Sequence, residues 1–482
     1  MYLGIDLGTS AVKVVLTDET DRIVAQASAP LEVSRRHPLW SEQDPDAWWT
    51  GCDAAVRELG QTTDLRAVRG IGLSGQMHGA TLFGADDEPL RPAILWNDGR
   101  SAAECEELEA LPRFREISGN LAMPGFTAPK LLWVRKHEPE IFERVRRVLL
   151  PKDALRLRMT GDAATDLSDA SGTLWLDVAK RSWSSELLEA TGLSIDAMPE
   201  LFEGSAPTGR LRVEVAAAWG MDRVPVAAGA GDQAAGAIGA GVVRSGEASL
   251  SLGTSGVLFV ASESFKANAE SAVHAFCHCL PRTWHQMSVI LSAASCLSWV
   301  TRLVGAKDEA TLVKQIEAVD RPNEDLIFLP YLSGERTPHN DPHATGTFVG
   351  LGHDTDAVSM GRAVLEGVAF AFADAQEALL SAGTRLDSIS VIGGGARSRL
   401  WGRIMASVLD RSLVYRAGGE DGPARGAARL GRLAVTGESP EAVCIAPPAA
   451  FEAEPDPELR DFYAARLDRY RDLYTRLRGA FR

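Results

Sequence analysis

Asp6 stands at the end of an apolar, alternating run and just ahead of Leu7-Gly8-Thr9-Ser10, with Lys13 three residues beyond. Residues 2–6 predict a short buried strand and residues 12–16 a second, β-branched one. Between them, Gly8 permits a tight turn, while the Thr9 and Ser10 hydroxyls and nearby N–H groups can hold phosphate oxygens. A carboxylate beside such an anion is sensible only with a cation between them, so Asp6 is a candidate metal residue; Lys13 could add a positive charge or could be solvated. Residues 249–260 repeat the pattern of strand, Leu-Gly-Thr-Ser turn and apolar strand, and the two turns start 245 residues apart, at Leu7 and Leu252. We read this as a duplicated nucleotide-binding domain, with the two hairpins gripping a polyphosphate from both sides.

Several polar groups sit at the ends of buried strand patterns, where open α/β sheets place ligands. Residues 68–74 run into Gly75-Gln76-Met77-His78-Gly79, and residues 92–95 run into Trp96-Asn97-Asp98-Gly99-Arg100. Residues 224–228 run into Gly229-Ala230-Gly231-Asp232-Gln233. The last resembles a Rossmann glycine turn, but the Asp232 carboxylate would repel a pyrophosphate. A helix N-cap is one reading of a carboxylate at this strand end, and a chemical role is the other. Residues 393–398, Gly-Gly-Gly-Ala-Arg-Ser, join a strand to a helix and admit a flat ligand or phosphate close to the backbone.

Asp44 and Pro45 predict a helix start, residues 101–165 read as mainly helical, and residues 166–175 read as a loop entering a strand. Residues 362–380 predict an amphipathic helix, and the periodic apolar residues after Pro457 predict a docked terminal helix. At 482 residues, with 45% hydrophobic and 24% charged content, the chain is a globular protein of two or three domains. Its net charge of −15 argues against nucleic acid or an anionic membrane as general partner. Six cysteines show no disulfide framework, and Cys277-His278-Cys279 lacks zinc-knuckle spacing. With no leader-like start and no apolar run long enough to span a bilayer, the expectation is a cytoplasmic protein.

The motifs SGQMHGATL (74–82), RPAILWNDGR (91–100), LSLGTSGV (250–257), LPYLSGERTPHNDP (329–342) and IGGGARS (392–398) resemble those of the FGGY carbohydrate kinase family. The likeness runs through nearly the whole chain, and GQMHGAT with ILWNDGR points to members acting on xylulose. It implies an α/β fold of two ribonuclease-H-like (actin-like ATPase) domains flanking a central cleft, divided at 1–243 and 244–482. It also implies ATP as co-substrate, Mg²⁺ held by Asp6, transfer to the terminal hydroxyl of D-xylulose, and a homodimeric assembly. Asp232 would be the base; Met77, His78 and Gln233 would meet the sugar; Thr9, Ser10, Lys13, Gly253 and Thr254 the phosphates; and Gly394, Gly395 and Ala396 the adenosine. The alternatives are a kinase for another ketose or polyol, such as ribulose or glycerol, and a non-enzymatic actin- or chaperone-like ATPase.

Overall fold

Both LGTS segments turn tight hairpins. In the computed structural model, which describes all residues except 320, 321, 323, 394–397, 418–420 and 482, β1 (Tyr2–Leu7) and β2 (Ala11–Thr17) pair antiparallel. The Gly8 N–H closes the turn on the Ala11 carbonyl at 3.0 Å. β3 (Ile23–Pro30) flanks β2, and β4 (Gly70–Gly75) runs parallel to β1 on its other side. β5 (Pro207–Arg210) and β6 (Pro225–Ala227) complete the order β5-β6-β4-β1-β2-β3, and the short β7 (Ala230–Gly231) pairs with the end of β4. One face of the hairpin, Leu3, Ile5, Leu7, Val12, Val14 and Leu16, joins Trp48, Cys52, Val56 and Leu59 of α1 (Pro45–Thr62) in a core. Asp44 caps α1 and Pro45 opens it, as the sequence predicts.

Between β4 and β7 the chain builds α2 (Thr127–His137), α3 (Pro151–Thr160), α4 (Leu167–Ser171) and, after β7, α5 (Asp232–Gly239). Two local expectations are corrected here. Residues 167–171 are helical and not a loop, because Asp166 accepts hydrogen bonds from the Ser168 and Asp169 N–H groups and caps a turn. Asp232 is not the cap of α5: Gly231 holds that position and Asp232 is the first helical residue.

The second sheet contains β8 (Glu247–Leu252), β9 (Gly256–Ser262), β10 (His274–Cys277), β11 (Trp284–Ile290), β12 (Ser388–Ile392), β13 (Leu413–Arg416) and β14 (Ala449–Ala453), in the order β10-β11-β9-β8-β12-β13-β14. β8 has its hairpin partner β9 antiparallel on one side and β12 parallel on the other, repeating β2-β1-β4. The duplication therefore extends from a tetrapeptide to a topology. α6 (Ala294–Leu303), α7 (Ala357–Ser381) and α8 (Arg399–Leu409) cover this sheet, and Val364, Val368, Phe372 and Leu379 of α7 form the centre of its core.

α9 (Gly422–Thr436) returns to the first sheet. It lies so close to β1 and β4 that a Cβ on Gly4 would sit 2.0 Å from the Ala424 carbonyl oxygen, and one on Gly72 1.8 Å from that of Ala427. Thus one of the layers over the first sheet is supplied from the second half of the sequence. α10 (Pro457–Leu477) docks on the second core through Tyr463, Tyr470 and Tyr474. It also carries a polar link: Arg466 pairs with buried Glu366 of α7 at 3.0 Å, and Glu366 pairs with Arg362 at 2.9 Å. No helix among the described residues is long and apolar enough to cross a membrane.

Candidate active site

The parallel register places Asp6 of β1 opposite Ser74 of β4, and β7 sets Ala230 opposite the same serine. Three strand ends therefore meet. The Ser74 hydroxyl donates to Asp6 Oδ1 at 2.9 Å, and the next residue after β7 is Asp232. Burial pushes the Asp6 carboxyl up to about 6, against the Ser74 hydrogen bond and the Lys13 charge. Burial, with the Asp6 charge added, pushes Asp232 up to about 7. Two carboxylates raised in one recess form a pair that favours either a retained proton or a cation between them. Gln233 approaches Asp232 Oδ1 with its amide at 3.5 Å, a long contact.

The phosphate residues divide into engaged and open groups. The Thr9 hydroxyl donates to Gln76 Oε1 at 2.9 Å and accepts from the Trp96 indole at 3.0 Å. Gln43 braces this turn: its amide donates to the Thr9 carbonyl at 2.7 Å, while its oxygen accepts from Gln76 at 2.8 Å and from Trp48 at 3.0 Å. Ser10 and Thr254 are exposed at their hairpin tips. Gly253 lies in the second turn, its N–H bonded to the Ser255 carbonyl at 3.1 Å. Lys13 pairs with Asp421 at the start of α9, so it joins the hairpin to that returning helix. Gly394, Gly395 and Ala396 lie outside the described residues. Gly393, just before them, has φ +102°, and a Cβ added there would fall 2.8 Å from the Leu252 carbonyl oxygen, at the end of β8.

Met77 and His78 line the adjoining recess. Met77 is buried against Gly231, where an added Cβ would fall 2.8 Å from its Cγ, next to the Asp232 backbone. His78 adopts φ +69°, and its carbonyl accepts from Thr127 Oγ1 at 3.1 Å and Lys130 Nζ at 2.9 Å. Its Nδ1 lies 3.0 Å from the Gly172 carbonyl, which can only accept, so Nδ1 carries the hydrogen and Nε2 is the acceptor. Burial brings the ring down to about 3, keeping it neutral near pH 7. Its edge meets Phe126, and Phe276 of the second half stands 6.1 Å away.

Within ILWNDGR, Asp98 and Arg100 are tied into the scaffold. Arg100 pairs with Asp98 at 2.7 Å and with Glu42 at 2.9 Å, and its guanidinium lies 3.7 Å over the Trp40 ring. Asp98 also accepts from the Ser41 N–H at 2.6 Å. Trp96 alone is substantially exposed, at 46%. Conversely, sequence reasoning gave no role to Ser74, Gln43 and the Glu335-Arg336 pair. Arg336 Nη1 reaches His274 Nε2 at 3.3 Å, and its charge acts on His78, so the second half contributes to this recess. Burial pushes Glu335 up to about 8 although its Oε1 accepts from the Leu291 and Arg336 N–H groups. The dense polar run 331–339 was the available signal, but loop residues carry no periodicity to show where they point. All six cysteines are buried as free thiols.

Two hairpin-centred sheets of repeated topology, the first carrying a carboxylate pair at its strand ends, define an α/β protein of the actin-like ATPase, ribonuclease-H-like kind. The chain belongs to the FGGY family of carbohydrate kinases, matching its N-terminal domain over residues 1–239 and its C-terminal domain over residues 248–435. It is 54% identical to a xylulose kinase of Escherichia coli (strain K12) over 480 residues, 99% of each chain. It superposes on the xyloylose kinase of Brucella ovis with a TM-score of 0.97 at 51% identity, covering 99% of both chains. The xylulose kinase of Rhodospirillum rubrum matches with a TM-score of 0.93 at 29% identity, covering 100% of this chain and 99% of that one. The chain is thus a carbohydrate kinase, an enzyme that transfers phosphate from ATP to a sugar.

Proposed function

We propose that this enzyme phosphorylates D-xylulose at its C5 hydroxyl, giving D-xylulose 5-phosphate. The observation that carries the reading is the strand-end geometry: a raised Asp232 carboxyl that feels the Asp6 charge, one residue beyond the Gly231 that packs on Met77, in a chain 54% identical to a xylulose kinase. In its ionised form Asp232 accepts the C5 hydroxyl proton as the oxygen attacks the terminal phosphate of ATP in line. Met77 and neutral His78, with Nε2 as acceptor, orient the sugar, and Gln233 adds an amide beside the base. The exposed tips at Ser10 and Thr254 hold phosphate oxygens from the two halves, with Thr9, Lys13 and Gly253 behind them. Gly394, Gly395 and Ala396 hold the adenosine end.

Mg²⁺ fits this donor set. Among the described residues no group of three or more His, Cys, Asp or Glu side chains is arranged to hold a metal. An ion here would rest on Asp6, water and phosphates, the mode that Mg²⁺ prefers, and it would neutralise phosphate charge during transfer. The two functional units are 1–243 and 244–482, with α9 lent back to the first sheet, and a homodimer in the cytoplasm is the expected state.

The test is a coupled ADP-release assay with D-xylulose, ribulose, glycerol and no sugar, with phosphorus NMR of the product. Xylulose-dependent release yielding the 5-phosphate is expected. A preference for ribulose or glycerol would transfer the reading to another sugar, and release without sugar would overturn the kinase mechanism. His78→Ala is expected to raise the sugar KM about tenfold, the worth of one well-placed hydrogen bond, and to leave the ATP KM unchanged. Steady-state kinetics in both substrates check it.

A further inference from the structure

Behind the recess lies a charge cluster in which no side chain is exposed. Lys152 Nζ of α3 is 2.6 Å from Asp153 Oδ1, 2.9 Å from Asp166 Oδ1 and 3.3 Å from Asp169 Oδ2. Burying charges is costly, and well-packed apolar residues would stabilise the same volume as well or better, so the cluster calls for a reason other than stability. Against the effect of burial, the three carboxylates hold the Lys152 ammonium above its ordinary range.

What the cluster grips is α4. Asp166 Oδ2 accepts from the Ser168 N–H at 2.8 Å, from the Asp169 N–H at 3.3 Å and from the Ser168 hydroxyl. The Ser168 oxygen in turn accepts from the Gly231 N–H at 3.3 Å, one residue before Asp232. At the other end of α4, the Gly172 carbonyl accepts from His78 Nδ1 at 3.0 Å. On its side, the Ser171 hydroxyl oxygen accepts from the Cys277 N–H of the second half at 3.0 Å. One short helix therefore touches the backbone one residue before Asp232, the ring of His78 and the opposite half of the molecule.

We propose that Lys152, Asp166 and Ser168 are positioning residues for phosphoryl transfer. Lys152 fixes Asp166, Asp166 fixes the Ser168 hydroxyl, and Ser168 fixes the Gly231 amide, which sets where α5 begins and so where the Asp232 carboxylate lies. The chain of contacts adds no group to the sugar or the nucleotide; it limits how far the base can wander. A displacement of about 1 Å at a reacting group can cost a hundredfold in rate. The inference rests on the reading of Asp232 as the base.

The test compares Ser168→Ala, Asp166→Asn, their double variant and Asp232→Asn in the full-length enzyme with D-xylulose and ATP. Ser168→Ala changes no charge and removes one oxygen, so it is the variant best placed to fold. It is expected to lower kcat about tenfold with the sugar KM within twofold. Because the residues act in series, the double variant is expected to lose no more kcat than the more impaired single variant, whereas independent losses would multiply. A Ser168→Ala kcat within twofold of the parent, a loss confined to KM, or multiplying losses in the double variant would overturn the proposal. Asp232→Asn separates the two readings. If it retains turnover, the base assignment fails first; if it is inactive while Ser168→Ala is normal, only the positioning chain fails.

Discussion

Asp232→Asn is expected to lower kcat for D-xylulose phosphorylation about a thousandfold while changing the sugar KM only a few-fold. A positioned general base contributes about a hundred- to ten-thousandfold, and an amide of the same shape keeps hydrogen bonding but takes no proton at neutral pH. The same carboxyl predicts a pH dependence, with its sign set by the direction of the shift. Burial and the Asp6 charge push Asp232 up to about 7, so lowering the pH through 7 is expected to protonate the proposed base and remove activity. kcat/KM is expected to rise with pH and level off above about 7, falling roughly tenfold per unit on the acid side. Asp6, pushed up to about 6, titrates in the same interval, so the inflections belong to the pair and the acid limb steepens below about 6. An Asp232→Asn enzyme with near-parental kcat, or a parental profile flat from pH 5.5 to 8, would remove Asp232 from the base role.

The second large effect is on stability. Gly72→Ala is expected to destabilise the protein by about 3 kcal/mol or more, seen as a lower Tm and a lower urea midpoint. The added carbon would lie 1.8 Å from the Ala427 carbonyl oxygen and 2.8 Å from the Gly431 nitrogen, and both belong to the backbone of α9. No side-chain rotation relieves a clash with helix backbone, so α9 must lift from β1 and β4. Gly479→Ala is the control: nothing lies within 4 Å of its added carbon, and its effect should stay within about 0.5 kcal/mol. A Gly72→Ala protein as stable as the control would mean that α9 does not seat on the first sheet as described.

Much of the site was legible from local pattern. The LGTS turns, their flanking strands and the Asp44–Pro45 start of α1 depend on residues adjacent in the chain, and each formed as expected. Asp232 stood out because a carboxylate occupies a glycine turn that would otherwise suit a pyrophosphate, and Met77 and His78 because they end a buried strand. Their roles in the reaction rest on the proposed mechanism.

The two hairpins, their repetition and the polar groups at their strand ends follow from local sequence, because turn chemistry and period-two alternation act over a few residues. Tertiary structure alone decided which strand ends meet. Asp6 and Asp232, more than two hundred residues apart in the chain, become neighbours because β7 adds beside β4 and β4 beside β1, two pairings that no local rule encodes. It likewise turned Asp98 and Arg100 inward, seated α9 on the opposite half and stood Lys152 behind the recess. Those outcomes depend on where a buried charge finds its partner and where small residues let two backbones approach, and both are settled only when distant segments come together.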